Sequence, residues 1–536
     1  MNGNMMAYQL TLTSMLAHTR RLYPDVEIVS RLSDKSLRRH TYRQFFDRTR
    51  RLAAALDKAG LRRGDRVATL MWNSHAHLEA YFGVPGVGGV LHTLNLRLHP
   101  SELTYIIHHA EDRFLLIDES LLPIYDQLSR DVHFERVWVI SPSGKAPVPF
   151  EDYEEWLGAA DSDFGFPALA EDEAASLCYT SGTTGKPKGV LYSHRALVLH
   201  AMAMALPDQL HYSRHDVVLP AINLFHANAM GMAHAATLVG AKQVFPGPYL
   251  QGEPLLDLME KERVTIAGGV PTVWLSVLES LDRHPNRWKL MPELRVQVGG
   301  SAAPESMIRR LDRYGIRVIQ VWGMTETSPL CTISTLKNGM EDLPESKRIE
   351  IRARQGLPEP FVDLRAVSDD GEVPWDGVTL GELQVRSPWV AAQYYKFPAA
   401  QDRWTDDGWL RTGDVVNIDA EGYIKIADRT KDLIKSGGEW ISSVDVENAL
   451  VAHPDVREAA VIAVPHPKWQ ERPFAVVVLK DGFRTTPETL HDFLAQKFAK
   501  WQLPDAIVFV SELPHTSTGK LLKSELRKQY QNWTWT

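Results

Sequence analysis

The chain has 536 residues, 44% hydrophobic and 24% charged, with a formal charge of −8. These are the proportions of an ordinary globular protein of about three or four folding units, and the mild acidity gives no support for a nucleic-acid partner. Two cysteines, Cys178 and Cys331, exclude a disulfide scaffold and a Cys-rich metal site. Met1 to Arg21 lacks the apolar core of a signal peptide, and no run approaches the ~18 apolar residues of a membrane span. A cytoplasmic protein with no integral membrane association is expected.

The first part alternates helix and strand patterns. Thr41 caps a predicted helix that carries Phe45, Phe46, Leu52, Ala53 and Leu56 at helical spacing and ends at Gly60. Val67 to Met71 reads as a buried strand and Ser74 as the cap of a helix from His75 to Phe82; glycines and Pro85 break the apolar run beyond it. Ala174 to Tyr179 and Gly189 to Tyr192 read as strands, with Ser193 capping a helix from His194 to about Leu206. The theme continues with a strand at Arg295 to Val298, a helix near Pro304 to Tyr314 and a strand at Val318 to Val321. Such alternation predicts an α/β fold with largely parallel sheet.

After about residue 355 the texture changes. Short strands at Val362 to Val367, Gly381 to Arg386 and Tyr423 to Ile426, separated by turn signals, predict a β-rich subdomain over about 355–430. The charged run Asp428 to Asp432 follows, and beyond it a small α+β pattern: a helix at Val444 to Val451, strands at Ala459 to Val464, Phe474 to Leu479 and Ala506 to Val510, and a helix capped by Thr486 with Pro487 in its first turn. The expected organisation is a large N-terminal domain over 1–430 and a small mobile C-terminal domain over 431–536, hinged at 428–432.

The most telling segment is Tyr179-Thr180-Ser181-Gly182-Thr183-Thr184-Gly185-Lys186-Pro187-Lys188-Gly189-Val190, with four hydroxyls from Ser and Thr, three glycines and two lysines. Glycines let a backbone curl close to a ligand, and successive N–H groups in such a curl form an anion-binding nest. A polyphosphate, that of ATP with Mg²⁺, suits it better than a plain surface loop does. The common P-loop is excluded: Gly182 and Gly185 stand too close together, and Pro187 occupies the place of the metal-binding Ser or Thr. The loop would also join two strands rather than open a helix.

Other segments extend the pattern. Val321-Trp322-Gly323-Met324-Thr325-Glu326-Thr327 places a Thr and a carboxylate just after a strand, where Mg²⁺ takes one or two carboxylates plus substrate phosphates. Trp409 to Asp414 offers a carboxylate for a ribose diol, and Thr516 to Lys520 a lysine on a polar turn. Together with Gly299 to Pro304 and Asp428 to Asp432, six motifs in order resemble the acyl-adenylate-forming superfamily over nearly the whole chain. Phe225-His226-Ala227-Asn228, Asn95 to Leu98 and Lys435 to Ser443 resemble more narrowly the bacterial medium- and long-chain fatty acyl-CoA synthetases and the related methylmercaptopropionate-CoA ligases.

The resemblance implies a two-step ligase with ATP, Mg²⁺ and coenzyme A. Thr180, Ser181, Gly182, Thr183, Thr184 and Lys188 would hold the β,γ-phosphates, and Thr184 with Glu326 the metal. Ser301, Ala302, Ala303, Val321, Trp322, Gly323, Met324 and Thr325 would surround the adenine and α-phosphate, with Asp414 and Arg429 at the ribose. Lys520, Glu326, Thr184 and His226 would be the catalytic set, and Lys520 would bridge the acid and the α-phosphate in step one. His226, Met230, Val270, Gly300 and Trp322 would line the acyl pocket; Lys435, Gly437, Gly438, Glu439 and Trp440 the coenzyme A channel; Lys431 would be the hinge pivot. Relatives imply a homodimer.

One position departs from the pattern: Met230 stands where the long-chain enzymes carry a Trp gate. Met is flexible and fills irregular apolar space, so a medium-chain or small apolar acid is expected, with short thio- or aromatic acids as an alternative. Transfer to a carrier protein is the competing enzyme reading. An amino acid is disfavoured, because Leu224 to Met230 carries no acid for its ammonium. A non-catalytic nucleotide binder is disfavoured by the presence of both Lys520 and Glu326.

Overall fold

The structure, a computed structural model, describes residues 3–180, 186–436, 439–515 and 521–535, with the side chains of all but Asn228, 399–401, Glu439 and Trp440. The alternating first half folds into two large, mostly parallel sheets. One has seven strands, in the order Glu151–Asp152, Arg136–Ile140, Asp112–Asp118, Arg66–Leu70, Val90–Thr93, Ala174–Tyr179, Gly189–Ser193. Its central strands are buried almost throughout, as parallel strands covered on both faces must be. Its one antiparallel pair is the last, Ala174–Tyr179 against Gly189–Ser193. The hydroxyl-rich loop therefore joins two strands, as its flanks predict. The base of this hairpin is closed by Thr180 N–H to Lys188 O at 2.9 Å and Lys188 N–H to Thr180 Oγ1 at 3.1 Å.

The other sheet has nine strands, with Ile316–Gly323, Leu294–Val298, Ile266–Gly269, Val217–Pro220, Lys242–Phe245 and Glu27–Arg31 running parallel through its centre. Open α/β sheets bind ligands beyond the carboxyl ends of their strands. Here those ends carry Gly299 to Ala303 and Trp322 to Glu326.

The predicted caps are made. Thr41, Ser74, Ser193 and Thr486 accept from the N–H groups of Gln44, His77, Ala196 and Thr489 at 3.1–3.4 Å, each contact worth about 1 kcal/mol. The helix at His75 differs from expectation. It runs on past Phe82 to Gly86, and every residue in it is buried. The reason is packing: a Cβ on Gly83 would lie 2.8 Å from Leu52 Cδ2 of the helix Tyr42–Lys58. The glycine serves close helix approach rather than termination.

Three side chains beside the seven-stranded sheet clamp the segment that leads to His226. Asn73 Nδ2 donates to Pro220 O and Ile222 O at 2.9 and 2.7 Å, while Asn73 Oδ1 accepts from Leu224 N–H at 2.8 Å. Tyr81 OH donates to Leu224 O, and Thr93 Oγ1 to Phe225 O at 3.1 Å. The two large sheets are thereby locked together next to the site.

Residues after 355 form an antiparallel five-stranded sheet, Gly371–Glu372, Asp363–Ser368, Gly381–Arg386, Leu410–Ile418 and Ile424–Arg429. A separate sheet follows, built on the hairpin Val456–His466 and Gln470–Leu479, with Ala506–Phe509 joining it in parallel. It has its own core, around Ile434, Leu450, Val461, Val477 and Leu490. The molecule is thus α/β with a β-rich part and a small α+β part at the C-terminus. No helix among the described residues is long and apolar enough to cross a membrane.

Candidate active site

A cavity of about 840 Å³ opens where the nine-stranded sheet, the antiparallel sheet and the C-terminal part meet. Of the expected nucleotide set, Ser301, Ala302, Val321, Trp322, Gly323, Asp414 and Arg429 line it, as does Gly300 of the expected acyl set.

A three-residue contact stands on one wall of it. Asp414 and Arg429 face each other directly across the antiparallel pair Leu410–Ile418 and Ile424–Arg429. Arg429 Nε donates to Asp414 Oδ1 at 2.5 Å, and Trp322 Nε1 donates to Oδ2 at 2.9 Å. The carboxylate is almost fully buried and the guanidinium half-exposed. Trp322 reaches it because the strand Ile316–Gly323 bulges at Trp322/Gly323, and a bulge re-aims a side chain. The bulge requires glycine at 323, where a Cβ would lie 1.8 Å from Pro329 O.

Gln320, absent from the expected set, holds the floor of the cavity. Its Oε1 accepts from Ala303 N–H at 2.6 Å and its Nε2 donates to Ala353 O at 3.0 Å, which sets the path of the loop Gly299 to Ala303.

Beyond the cavity lies the turn Thr325–Thr327. Glu326 is buried there, and Tyr394 OH donates to its Oε1 at 2.5 Å. Tyr192, on the second strand of the loop hairpin, donates to Thr325 O at 2.6 Å. The hairpin and the carboxylate turn are therefore fixed to one another. Lys188 points at aromatic rings, its ammonium 4.9 Å from the centroid of Tyr394 and 5.2 Å from that of Phe397.

Met230 is buried, and its methyl would lie 3.0 Å from a Cβ added to Gly299. Val321 Cγ2 would lie 2.8 Å from the same point, so Met230, Gly299 and Val321 converge. The turn carrying Met230 is strained, with φ of 36° at Ala227, 53° at Ala229 and 54° at Met230; strain of this kind gathers at functional sites. His226 is half-buried at the head of that turn, its N–H donating to Asn223 O at 3.0 Å. Val270 is the residue before the helix Pro271–Arg283, whose Pro271 lines the cavity.

Ser181, Gly182, Thr183, Thr184, Gly437, Gly438 and Lys520 lie outside the described residues, as do the side chains of Glu439 and Trp440. The described neighbours of Lys520, namely His515, Leu521 and Lys523, line the cavity. Lys523 was not expected. It is buried against Glu447 Oε1 at 2.7 Å and donates to Ser443 Oγ. Ser443 N–H in turn donates to Asp428 Oδ2 at 2.9 Å. Burial works against the charge of Lys523, but Glu447 and Asp428 hold its ammonium above the ordinary lysine value. Burial pushes Glu447 up to about 7 against the opposing pull of Lys523.

The family model of AMP-binding enzymes matches residues 16–395, and that of the AMP-binding enzyme C-terminal domain matches residues 445–520. The chain belongs to the AMP-binding enzyme family. A long-chain-fatty-acid–CoA ligase of Thermus thermophilus is 49% identical to it over 99% of this chain and 97% of its own. A medium-chain-fatty-acid–CoA ligase of Ectopseudomonas oleovorans is 44% identical over 99% of this chain and 98% of its own. Among solved structures, an anthranilate CoA ligase in complex with anthranoyl-AMP superposes with a TM-score of 0.87 at 25% identity, over 98% of both chains. The Glu326 turn follows the cavity-lining strand end Val321 to Gly323 in the chain and is bonded to the loop hairpin through Tyr192.

Proposed function

We propose that this AMP-binding enzyme is an ATP-dependent acyl-CoA synthetase for a medium-chain or small apolar carboxylic acid. One observation carries the reading: a glycine- and hydroxyl-rich hairpin, a buried glutamate turn and a cavity with an oriented aspartate–arginine pair adjoin, as binding of phosphates, metal and ribose requires. A carboxylate oxygen of the acid attacks the α-phosphorus, the bond to the β,γ-pyrophosphate breaks, and an acyl-adenylate forms. The coenzyme A thiol then loses its proton, and its sulfur displaces AMP from the acyl carbon.

Attack of an anion on a polyanion is accelerated chiefly by positioned donors and cations. In this reading Asp414, its carboxylate oriented by Trp322 and Arg429, accepts from the ribose hydroxyls. Lys188 and Thr180 neutralise and bind the departing phosphates, Thr325 meets the α-phosphate, and Lys520 bridges acid and phosphate in the first step. The donor set suits Mg²⁺, because the described residues hold one buried carboxylate at this place and no cluster of three ligands, and Mg²⁺ binds largely through phosphates. Glu326 and Thr184 would hold the ion, which supplies charge neutralisation on the phosphates. Lys435 to Trp440 would take the pantetheine in the second step, with Lys431 as pivot between a 1–430 and a 431–536 domain. Met230 against Gly299 and Val321 supports a short tunnel. A cytoplasmic homodimer completes the reading, supported by Cys178 and Cys331, both buried and neither in a disulfide, and, for the dimer, by the resemblance.

The test is a panel of carboxylic acids of graded length and ring content, with coenzyme A-dependent AMP release as readout. Medium-chain acids should have the highest kcat/KM; a long-chain optimum would overturn the role given to Met230. AMP release without need of coenzyme A would overturn the synthetase. Lys520→Ala should lower pyrophosphate exchange about 10²–10³-fold, as loss of one transition-state donor does.

A further inference from the structure

The segment 391–397 crosses between the two halves of the phosphate site and is fastened to both. Ala391 N–H donates to Glu326 O at 2.8 Å, and Tyr395 N–H donates to Gly189 O at 2.8 Å. Tyr394 lies between these two fastenings, 6% exposed. Its hydroxyl donates to Glu326 Oε1 at 2.5 Å, and its ring receives the Lys188 ammonium at 4.9 Å. One side chain thus touches a buried carboxylate with its polar end and a cation with its face. Among the described residues no ion pair joins Lys188 to Glu326: the lysine faces the rings of Tyr394 and Phe397, the glutamate a phenol.

A lysine and a glutamate this close to one ring are drawn to each other, and an ion pair between them would cancel the charges that a metal–polyphosphate needs. An aromatic face attracts an ammonium through its quadrupole and leaves the charge intact. A phenol orients a carboxylate without neutralising it. The Tyr394 phenol acts here as the donor and Glu326 Oε1 as the acceptor.

We propose that Tyr394 is a positioning residue for adenylation: its hydroxyl aims Glu326, its ring seats Lys188, and the two opposite charges are held apart for Mg·ATP. The inference rests on the roles given above to Lys188 and Glu326. It also explains why both ends of the segment 391–397 are bonded to backbone of the phosphate site: the ring can separate the charges only if its height between them is fixed. Packing alone does not require the hydroxyl. The ring already meets Trp404 edge-on at 5.1 Å, and Trp404 Nε1 anchors Ala391 O at 2.6 Å; a phenylalanine would keep these contacts.

The experiment measures ATP binding by calorimetry, with and without Mg²⁺, for the wild type, Tyr394→Phe, Tyr394→Leu and the double variant Tyr394→Leu/Glu326→Gln. Tyr394→Phe keeps the seat for Lys188 and loses the donor. It should bind metal-free ATP within about twofold of wild type, while the gain in affinity from Mg²⁺ falls about tenfold, the size expected for one hydrogen bond to a charged group. Tyr394→Leu frees Lys188 to pair with Glu326, so metal-free ATP affinity should also drop about tenfold, and Glu326→Gln should restore it by removing the competing charge. An undiminished Mg²⁺ effect in Tyr394→Phe overturns the aiming of Glu326. A loss in Tyr394→Leu that Glu326→Gln leaves in place overturns the charge separation. If Tyr394→Leu fails to fold, Tyr394→Phe decides alone. A wild type that binds no ATP overturns the functional reading instead.

Discussion

Glu359 is a carboxylic acid with 1% exposure and no partner on either oxygen among the described residues. Its backbone N–H is bonded to Cys331 O, which holds the side chain inside the core. Burial pushes its pKa from 4.5 up to about 8. An acid whose folded value is raised is favoured in the folded state only while protonated. Its contribution to stability is therefore present below about 4.5 and lost as pH rises toward 8. The melting temperature of the wild type should fall more steeply between pH 5 and 8 than that of Glu359→Gln, whose amide does not titrate. Parallel curves by calorimetry would contradict this. At this scale the sequence was readable where a residue sits in a motif. Asp414, Arg429 and Glu326 could be named from their neighbours in the chain. Gln320, Tyr394, Lys523 and Glu359 could not, because each acts on a residue between 17 and 80 positions away or is buried by segments distant in sequence.

At the scale of elements, periodicity and caps located the helices and strands well, and composition misled where a glycine has a packing role. The helix expected to end at Phe82 continues through Gly83, which is the contact point of two buried helices. A second consequence belongs here. The end of the strand Ile424–Arg429 carries Asp428, which accepts from Ser443 N–H at the first residue of the helix Ser443–Val451. A carboxylate at a helix N-terminus is favoured by the helix dipole. Lys523, three residues past Lys520, closes the same cluster through Glu447 and Ser443. These contacts fasten the C-terminal part to the antiparallel sheet with the flanks of Lys520 at the cavity. Asp428→Asn removes one charge from the fastening and should lower pyrophosphate exchange about tenfold, the cost of a weakened charged hydrogen bond. Thioester formation from supplied acyl-adenylate should stay within about twofold, because in the proposed reading a different posture serves that step. Rapid-quench measurement of the two half-reactions would separate these effects, and equal loss in both would refute the fastening.

For the whole molecule, the order of six motifs was enough to indicate the family, and the alternation of helix and strand patterns the α/β class; the described parts of the motifs at Gly299 and Val321 lie at strand ends, where backbone geometry restricts residue choice. What could not be read was how the parts meet: the cavity is formed by Ser301, Trp322, Asp414, Glu447 and Lys523 together, and no local pattern encodes their approach. The same cavity raises a kinetic requirement. It is closed on one side by the C-terminal part, with residues next to Lys520 in its wall, and coenzyme A must later reach the same acyl carbon. The chain between Arg429 and Ile434 is the short connection that would have to turn. Its local bonds, Asp432 N–H and Leu433 N–H to Arg429 O at 2.8 and 2.9 Å, close a turn with Thr430 and Lys431 at its centre, and in the proposed reading this turn is where the backbone angles change, with Lys431 as pivot. Proline at 431 would fix φ near −65° and oppose the turn. Lys431→Pro should therefore keep pyrophosphate exchange within about threefold of wild type and slow thioester formation more than about tenfold, since in the proposed reading the conformational step precedes that half-reaction alone. Single-turnover assays with coenzyme A added to preformed acyl-adenylate read the second value directly. A variant slowed equally in both half-reactions would show that the turn is made elsewhere, and Thr430 would then be the next position to fix.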